Sequence, residues 1–457
     1  MSEKTALART DTILLCPAVG IWKIGNELYF DRKFHDGLLA SITHWPGLFR
    51  LAIHLATSSP PKFGLVQFIA DEFPAKVSVL GADELIDSDL LAGVDIVLAP
   101  GDSFNDFHLA DLCRRRGIKC IYAIEYTLAT RIQIAAIDGS NIWRKLKSIL
   151  WLMLKERKRL QAFRRSDGLQ ANGVPAYDAY ASLVSNALLY FDSRVTASMG
   201  ITDEELSTRL SHLDEQAPLR LGFSGRLISM KGADQLVEIA FRLKKHQMPF
   251  SFDIFGAGEL VPKMQKKIEE YGLSSVVRLR GVADFANELV PFIKSNLDLF
   301  VCCHRQSDPS CTYVETYACG VPIIGYNNRA HQGILARHDV GWSVAMNDVK
   351  GLADLIVRLN NHRDEIKTKA LNAARFAREH TFEATFQRRI SQCMQILSQG
   401  RGSSHTGNTV SVSTVQPPDR LFSAYMDQAV CEHQRLGLAA DHTEDEFLSI
   451  PSRENEL

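Results

Sequence analysis

Two cations stand five positions apart in the run GFSGRLISMKGADQLVEIA: Arg226 and Lys231. The apolar run before them ends at Gly225, and a helical pattern opens after Gly232. A strand, a short basic loop and a helix start suit an anion. Arginine offers a planar fork, lysine a compact charge, and the free amides of the helix start add a positive dipole end. Two solvated cations in a surface loop would carry the same letters, and this run alone does not separate the readings.

A second run, RQSDPSCTYVETYACGVPIIGYN, sets Glu315 in the first turns of a short helix that stops at Gly320 before Pro322. A carboxylate there can accept two hydroxyls, although an acid near a helix start is also an ordinary dipole partner. Ser310, Cys311 and Thr312 offer further backbone amides to a ligand. In FDIFGAGEL, Gly256 and Gly258 follow a strand and precede a helix, which allows close backbone approach. The third glycine of the dinucleotide fingerprint is missing, and a tight turn without a ligand is the plainer meaning of this pair alone.

The elements that must position these residues follow from the apolar rhythm. From Thr12 to Asn172 the runs TILLC, GLVQFIA, DIVLAP, KCIYAIEY and GLQAN alternate with longer helical patterns, as in a parallel sheet, and ALLYFDS near Ala187 continues it. After SHLDEQAP, which ends at Pro218, the rhythm restarts with LRLGFSG, SFDIFG, VVRLRG, DLFVCC, PIIGYN and WSVAM. The expected fold class is α/β. It comprises one Rossmann-like domain over 1–210, a second over 219–380, a helix over 381–399 returning to the first, and a disordered linker and tail over 400–457. GRGSSHTGNTVSVSTVQPP opens that tail and has no period.

A chain of 457 residues with 46% hydrophobic residues is long enough for two cores. A net charge of −1 supplies no field for nucleic acid, so no nucleic-acid partner is expected. Nine cysteines without CxxC pairs suggest neither metal nor disulfides and fit a reduced, cytoplasmic setting. No stretch approaches the roughly 20 apolar residues of a membrane span. One segment stands apart: NIWRKLKSILWLMLKERKRLQAFRR, with nine basic residues from Arg144 to Arg165. As a helix over 142–165 it would be basic and amphipathic. It reads either as a peripheral contact with an anionic membrane or as a core helix with a solvated basic face.

Taken together, the GRL-x3-KG loop, the G-x-G turn, the strand-ending G-V and the E-ACG-VP run resemble the second domain of the family 4 retaining glycosyltransferases of bacterial polysaccharide synthesis. The resemblance is specific over roughly Leu219 to Leu359 and architectural before that. It implies a GT-B fold, two Rossmann-like domains facing a central cleft, with the donor in the second domain and the acceptor in the first. It further implies transfer of a hexosyl unit, with retention, from a nucleoside-diphosphate sugar to a glycan or lipid-linked acceptor, with neither cofactor nor metal.

By the same resemblance, Arg226 and Lys231 hold the diphosphate beside Gly225, with Gly256 and Gly258 in the adjoining turn. Glu315 holds the ribose, Gly281 and Val282 flank the base, and Thr312 sits at the phosphate end. The family's first glutamate falls on Ser307, with Asp308 one place on as the candidate contact to the donor sugar. Glu125, at the end of IKCIYAIEY, falls where relatives carry a histidine facing that sugar; a surface pair with Arg131 is its simpler role. Gly20 and Gly25, in PAVGIWKIGNELYF, fall on the acceptor side. A nucleotide-sugar epimerase and a degenerate nucleotide-sugar binder are the competing readings; the basic loop opposes the first, and Ser307 motivates the second.

Overall fold

The computed structural model of the chain describes residues 10–61, 64–137, 142–211, 213, 217–307 and 309–402. Asp308 and the expected tail beyond 402 lie outside the described residues. The chain divides into two compact units, one comprising residues 1–170, 180–187 and 390–457 and the other residues 171–179 and 188–389.

The second unit is built on a six-stranded sheet. Its order is Val277–Gly281, Phe250–Phe255, Leu219–Ser224, Leu299–Cys302, Ile323–Tyr326, Gly341–Val344. All five pairings are parallel. Numbered within the unit the order is 3-2-1-4-5-6, that of a dinucleotide-binding sheet. The strands form where the apolar runs lie because helices cover both faces. Leu219, Leu221, Phe223, Phe252, Phe300 and Val301 are all fully buried. The helix Ala233–Lys245 shows how one face is covered. It buries Leu236, Val237, Ile239, Ala240 and Leu243 at helical spacing, and Arg242, Lys244 and Lys245 complement the dipole in its last turn.

The other large sheet has seven strands, ordered Ala187–Tyr190, Gly168–Asn172, Lys119–Ile124, Ile96–Pro100, Thr12–Leu15, Leu48–His54, Lys76–Leu80, and all of it but residues 171–172 and 188–190 belongs to the first unit. Two of these strands, Leu48–His54 and Lys76–Leu80, are not among the apolar runs read from the sequence; Arg50, His54 and Lys76 break their apolar character. Conversely, the run around Leu65–Phe68 joins no parallel sheet. It pairs antiparallel with Glu27–Asp31, which in turn pairs with Trp22–Ile24.

The sequence boundary at 210 also moves. Residues 188–211 cluster with the second unit because Leu206 packs against Ala370 and Ala374, and Arg209 donates to the Cys319 carbonyl at 2.7 Å. The last helix, Phe382–Gly402, spans the division. Its residues Ile390, Cys393, Ile396 and Leu397 complete the first unit's core around Ile13, Leu51 and Ile121.

Candidate functional site

The strands Leu219–Ser224 and Leu299–Cys302 are neighbours from which the chain winds in opposite directions along the sheet. In such sheets the crevice outside the carboxyl ends of those two strands takes the ligand. The loop after the first carries Arg226 and Lys231, and the loop after the second leads to Glu315. Arg226 is exposed, and its side chain makes no hydrogen bond or ion pair among the described residues. Lys231 is buried to 8% exposure in the short 3-10 turn Ser229–Lys231, directly before the helix at Ala233.

Backbone contact locks these loops together. Gly232 has φ +69°, and a Cβ there would lie 2.1 Å from the Cys303 carbonyl oxygen. Gly256, at φ +131°, would place a Cβ 1.9 Å from the carbonyl of Gly225. Only glycine fits either position. Gly258 approaches the Leu227 carbonyl in the same manner, at 2.3 Å. The G-x-G pair thus has a packing role of its own: it lets the turn after Phe255 lie against the basic loop, where Leu227 N–H donates to Ala257 O at 2.8 Å.

Arg305 ties the two loops from the other side. Its guanidinium donates to both oxygens of Asp234 at 2.8 Å and to the Ser229 Oγ at 2.8 Å, its Nε donates to Asn347 Oδ1 at 2.9 Å, and its backbone N–H reaches the Met230 carbonyl at 3.0 Å. The loop bearing Lys231 is therefore held in place before any ligand arrives. His304, next to Arg305, is buried, and neither ring nitrogen has a hydrogen-bond partner among the described residues. Burial holds its pKa well below the ordinary histidine value, reinforced by the Lys231 cation and then by His331, so the ring is neutral.

Glu315 lies on the helix Thr312–Ala318 and is itself mostly buried. Both its oxygens are met by one partner: Arg194 donates from Nε to Oε1 at 2.8 Å and from Nη2 to Oε2 at 3.1 Å. The Arg194 guanidinium lies 3.9 Å from the centroid of the Phe285 ring. Burial alone would lower its pKa, but the bond and charge of Glu315 hold it above the ordinary value. Phe285 follows Gly281 and Val282. Gly281 ends its strand, with its carbonyl accepting from Gly256 N–H at 2.7 Å, and Val282 stands 79% exposed. Arg194 thus joins the Glu315 carboxylate to the ring of Phe285, three residues beyond Val282.

Ser310 Oγ donates to Thr312 Oγ1 at 3.1 Å, and Ser310 lines a small pocket with Asn172, Asp192, Pro309 and Tyr313. Cys311 caps the helix of Glu315, its carbonyl accepting the Glu315 N–H at 3.0 Å. Ser307 Oγ accepts from Arg329 N–H at 3.3 Å, so the residue in place of the family's first acid has a structural bond. The structure brings Gly225, Arg226, Lys231, Gly256, Gly258, Gly281, Val282, Ser310, Cys311, Thr312 and Glu315 into one unit.

Glu125, Gly20 and Gly25 belong to the other. Glu125 follows the strand Lys119–Ile124, and its backbone N–H donates to Asp102 Oδ2 at 2.7 Å. Arg131, the partner that the sequence offers it, donates to Asp102 Oδ1 at 2.7 Å. Gly20 packs against Ala56, where a Cβ would meet its backbone at 2.8 Å. Gly25 forms the hairpin turn between Trp22–Ile24 and Glu27–Asp31. Sequence reading passed over Arg194, Arg305, His304, Phe285 and Asp102. Arg194 sits 121 positions from its carboxylate and leaves no local signal, whereas Arg305 lies within the run already singled out for Glu315.

The family described as glycosyl transferases group 1 matches residues 209–377, the part of the chain that holds the basic loop and Glu315. Among curated proteins, WcaL of Escherichia coli K12, named as a colanic acid biosynthesis glycosyltransferase, is 23% identical over 250 residues, 52% of this chain and 58% of its own length. The amylovoran biosynthesis glycosyltransferase AmsK of Erwinia amylovora is 28% identical over 190 residues, 38% of this chain and 44% of its own. The chain thus spans about half the length of these curated relatives.

Among solved structures, Anabaena Alr3699/HepE in complex with UDP superposes with a TM-score of 0.56 at 14% identity, covering 84% of this chain and 99% of that one. The same Anabaena protein in complex with UDP-glucose gives 0.52 at 15% identity over 84% and 99%. Sucrose-phosphate synthase from Thermosynechococcus elongatus gives 0.56 at 13% identity, over 85% and 99%. At these identities the likeness is one of fold: the chain has the α/β fold of the GT-B class, with two Rossmann-like units.

Proposed function

We propose that the protein is a retaining glycosyltransferase that moves a hexosyl unit from a nucleoside-diphosphate sugar to a hydroxyl of a glycan or lipid-linked acceptor in polysaccharide or glycoconjugate assembly. The observation that carries this reading is the flanking of one switch point by a preorganised basic loop, Arg226 and Lys231, and by the loop of Glu315. The match of the glycosyl transferases group 1 family to the same residues supports it, as do the polysaccharide-assembly names of WcaL and AmsK and the UDP-glucose bound to the Anabaena protein.

In this reading Glu315 accepts the ribose hydroxyls, Val282 and Phe285 flank the base, and Arg226 and Lys231 meet the diphosphate. The bond from the anomeric carbon to the phosphate oxygen breaks, and a bond from the acceptor oxygen to that carbon forms on the same face. The acceptor's proton passes to the departing phosphate. Negative charge grows on the diphosphate as the bond stretches, and fixed cations stabilise that charge most where water is excluded. Two side-chain cations serve where a divalent metal otherwise would, so the reaction runs without one. Glu125 polarises the acceptor or donor sugar and forms no covalent bond. Action in the cytoplasm belongs to the same proposal, on the cysteine pattern of the sequence.

Thermal stabilisation by a panel of nucleoside diphosphates and their sugars tests the donor site. A ligand at 100 times its dissociation constant adds about 2.7 kcal/mol. The expected result is a clear shift with one base, abolished in Arg226→Ala; no shift with any base overturns the reading. A second reading, a nucleotide-sugar binder without transfer, draws on Ser307, whose hydroxyl is committed to Arg329. Donor binding with neither transfer nor donor hydrolysis, across a range of glycan and lipid-linked acceptors, would favour it.

A further inference from the structure

The helix Ile142–Arg165 of the first unit has one face anchored in protein and the opposite face open. On the inner face, Arg159 is fully buried, pairs with Glu156 at 2.7 Å and donates to the Tyr126 carbonyl at 2.9 Å, while Tyr180 donates to Glu156 at 2.8 Å. Phe163 is buried on the same side, its ring centroid 5.3 Å from that of Tyr122. This network fixes how the helix is rotated about its axis.

The side turned outward is apolar over three turns. Trp143, Leu146, Leu150 and Leu154 recur at helical spacing and are between 51% and 75% exposed. Trp151 flanks them, half-exposed, with its ring against Phe104 and the Lys155 ammonium 5.3 Å from its centroid. At 1.5 Å per residue the stripe runs for about 16 Å. Beyond Leu154 the same outward side becomes Arg157, Lys158, Gln161, Arg164 and Arg165, and Arg144 and Lys147 stand exposed beside the apolar end. The helix carries a single carboxylate, Glu156, and it points inward to Arg159. A helix whose hydrophobic residues served only the core would show the reverse arrangement.

We infer that this face docks the protein on an anionic lipid bilayer, with the Trp143–Leu154 stripe seated among the acyl chains at the headgroup boundary and the flanking lysines and arginines on the phosphates. The match is one of chemistry and shape. A bilayer interface offers apolar depth and negative charge in one plane, and a tryptophan and leucine stripe ringed by exposed cations complements both. Among the described residues no helix is long and apolar enough to cross a membrane, so the contact is a surface one. The inference uses no residue of the nucleotide site, and its failure and the failure of the donor reading are separate events.

The test is flotation of the full chain with vesicles of phosphatidylcholine alone and of phosphatidylcholine with phosphatidylglycerol, at low and high salt. The wild-type chain is expected to float with the anionic vesicles, less so at high salt, with a blue shift in tryptophan emission. A Trp143→Ser, Leu150→Ser, Leu154→Ser variant is expected to lose at least about tenfold in partition while keeping its melting temperature and circular dichroism. Absence of binding to anionic vesicles at low salt overturns the inference, as does binding that the triple variant retains. Concentration-dependent self-association of the wild type, abolished in the variant, without vesicle binding would assign the face to a second copy of this chain and also overturn it.

Discussion

Replacing Glu315 with alanine isolates the ribose contact from the rest of the site. In the free protein both its oxygens are bound by Arg194, whose side chain is 47% exposed against 12% for Glu315. Loss of the carboxylate leaves the Arg194 charge with access to water and still over Phe285. The stability cost is therefore small, about 1 kcal/mol, as for partly exposed ion pairs. The ligand cost is larger. A bond to a charged acceptor contributes about 1.5 to 3 kcal/mol, and two ribose hydroxyls sharing one carboxylate amount to about 3 kcal/mol, or roughly 100-fold in affinity. Titration calorimetry with the preferred nucleoside diphosphate and its 2′,3′-dideoxy analogue separates the two costs. Wild-type protein should prefer the ribose form by roughly 100-fold, whereas the variant should bind both alike. A variant that keeps the wild-type preference would refute the placement of the ribose at Glu315, whatever its overall affinity.

Three further outcomes follow from the same geometry. Converting Arg226 and Lys231 together to alanine should lower turnover by about 100- to 1,000-fold, the range for removal of groups that meet developing charge, with donor-independent melting nearly unchanged; normal turnover would sink their assignment. Gly232→Ala, which sets a Cβ 2.1 Å from the Cys303 carbonyl at φ +69°, should destabilise by about 2 to 3 kcal/mol in urea denaturation, and a neutral effect would contradict the loop packing. His331 is pushed from 6.5 to about 4 by burial, so the unfolded chain takes up its proton first as pH falls. Its stabilisation is complete above pH 6.5 and is lost as pH drops toward 4, up to about 3 kcal/mol, so the pH 7 to pH 5 loss of stability should be smaller in His331→Phe.

The six strands of the second unit were each legible as apolar runs: the four inner ones are buried along nearly their whole length, as in a parallel sheet covered on both faces, while the edge strand Val277–Gly281 alternates with Arg278 and Arg280. The first unit was less so. Arg50 and His54 interrupt the apolar character of Leu48–His54, Lys76 opens Lys76–Leu80, and the run at Leu65–Phe68 is short enough that nothing local tells a parallel partner from the antiparallel one it has in Glu27–Asp31. The site divides similarly. Cations and glycines beside a strand end leave a local signal. A carboxylate's partner 121 positions away, or a histidine buried without a hydrogen-bond partner among the described residues, is set by the tertiary fold.

Packing also sorts the motif residues by what they require of a ligand. Gly232, Gly256 and Gly258 are each accounted for by a neighbouring carbonyl 1.9 to 2.3 Å from where a Cβ would stand, so their presence follows from loop contact alone. Ser307 and Cys311 hold backbone amides. Arg226 has no such account: it is exposed, in the loop at the switch point, and its side chain makes no hydrogen bond or ion pair among the described residues. Lys231 differs: it is buried in the turn before the helix at Ala233, near enough to His304 that its cation helps keep that ring neutral. Arg226 is therefore the motif residue that loop packing leaves unexplained, and the glycines are the means by which the fold holds the basic loop at the sheet's switch point.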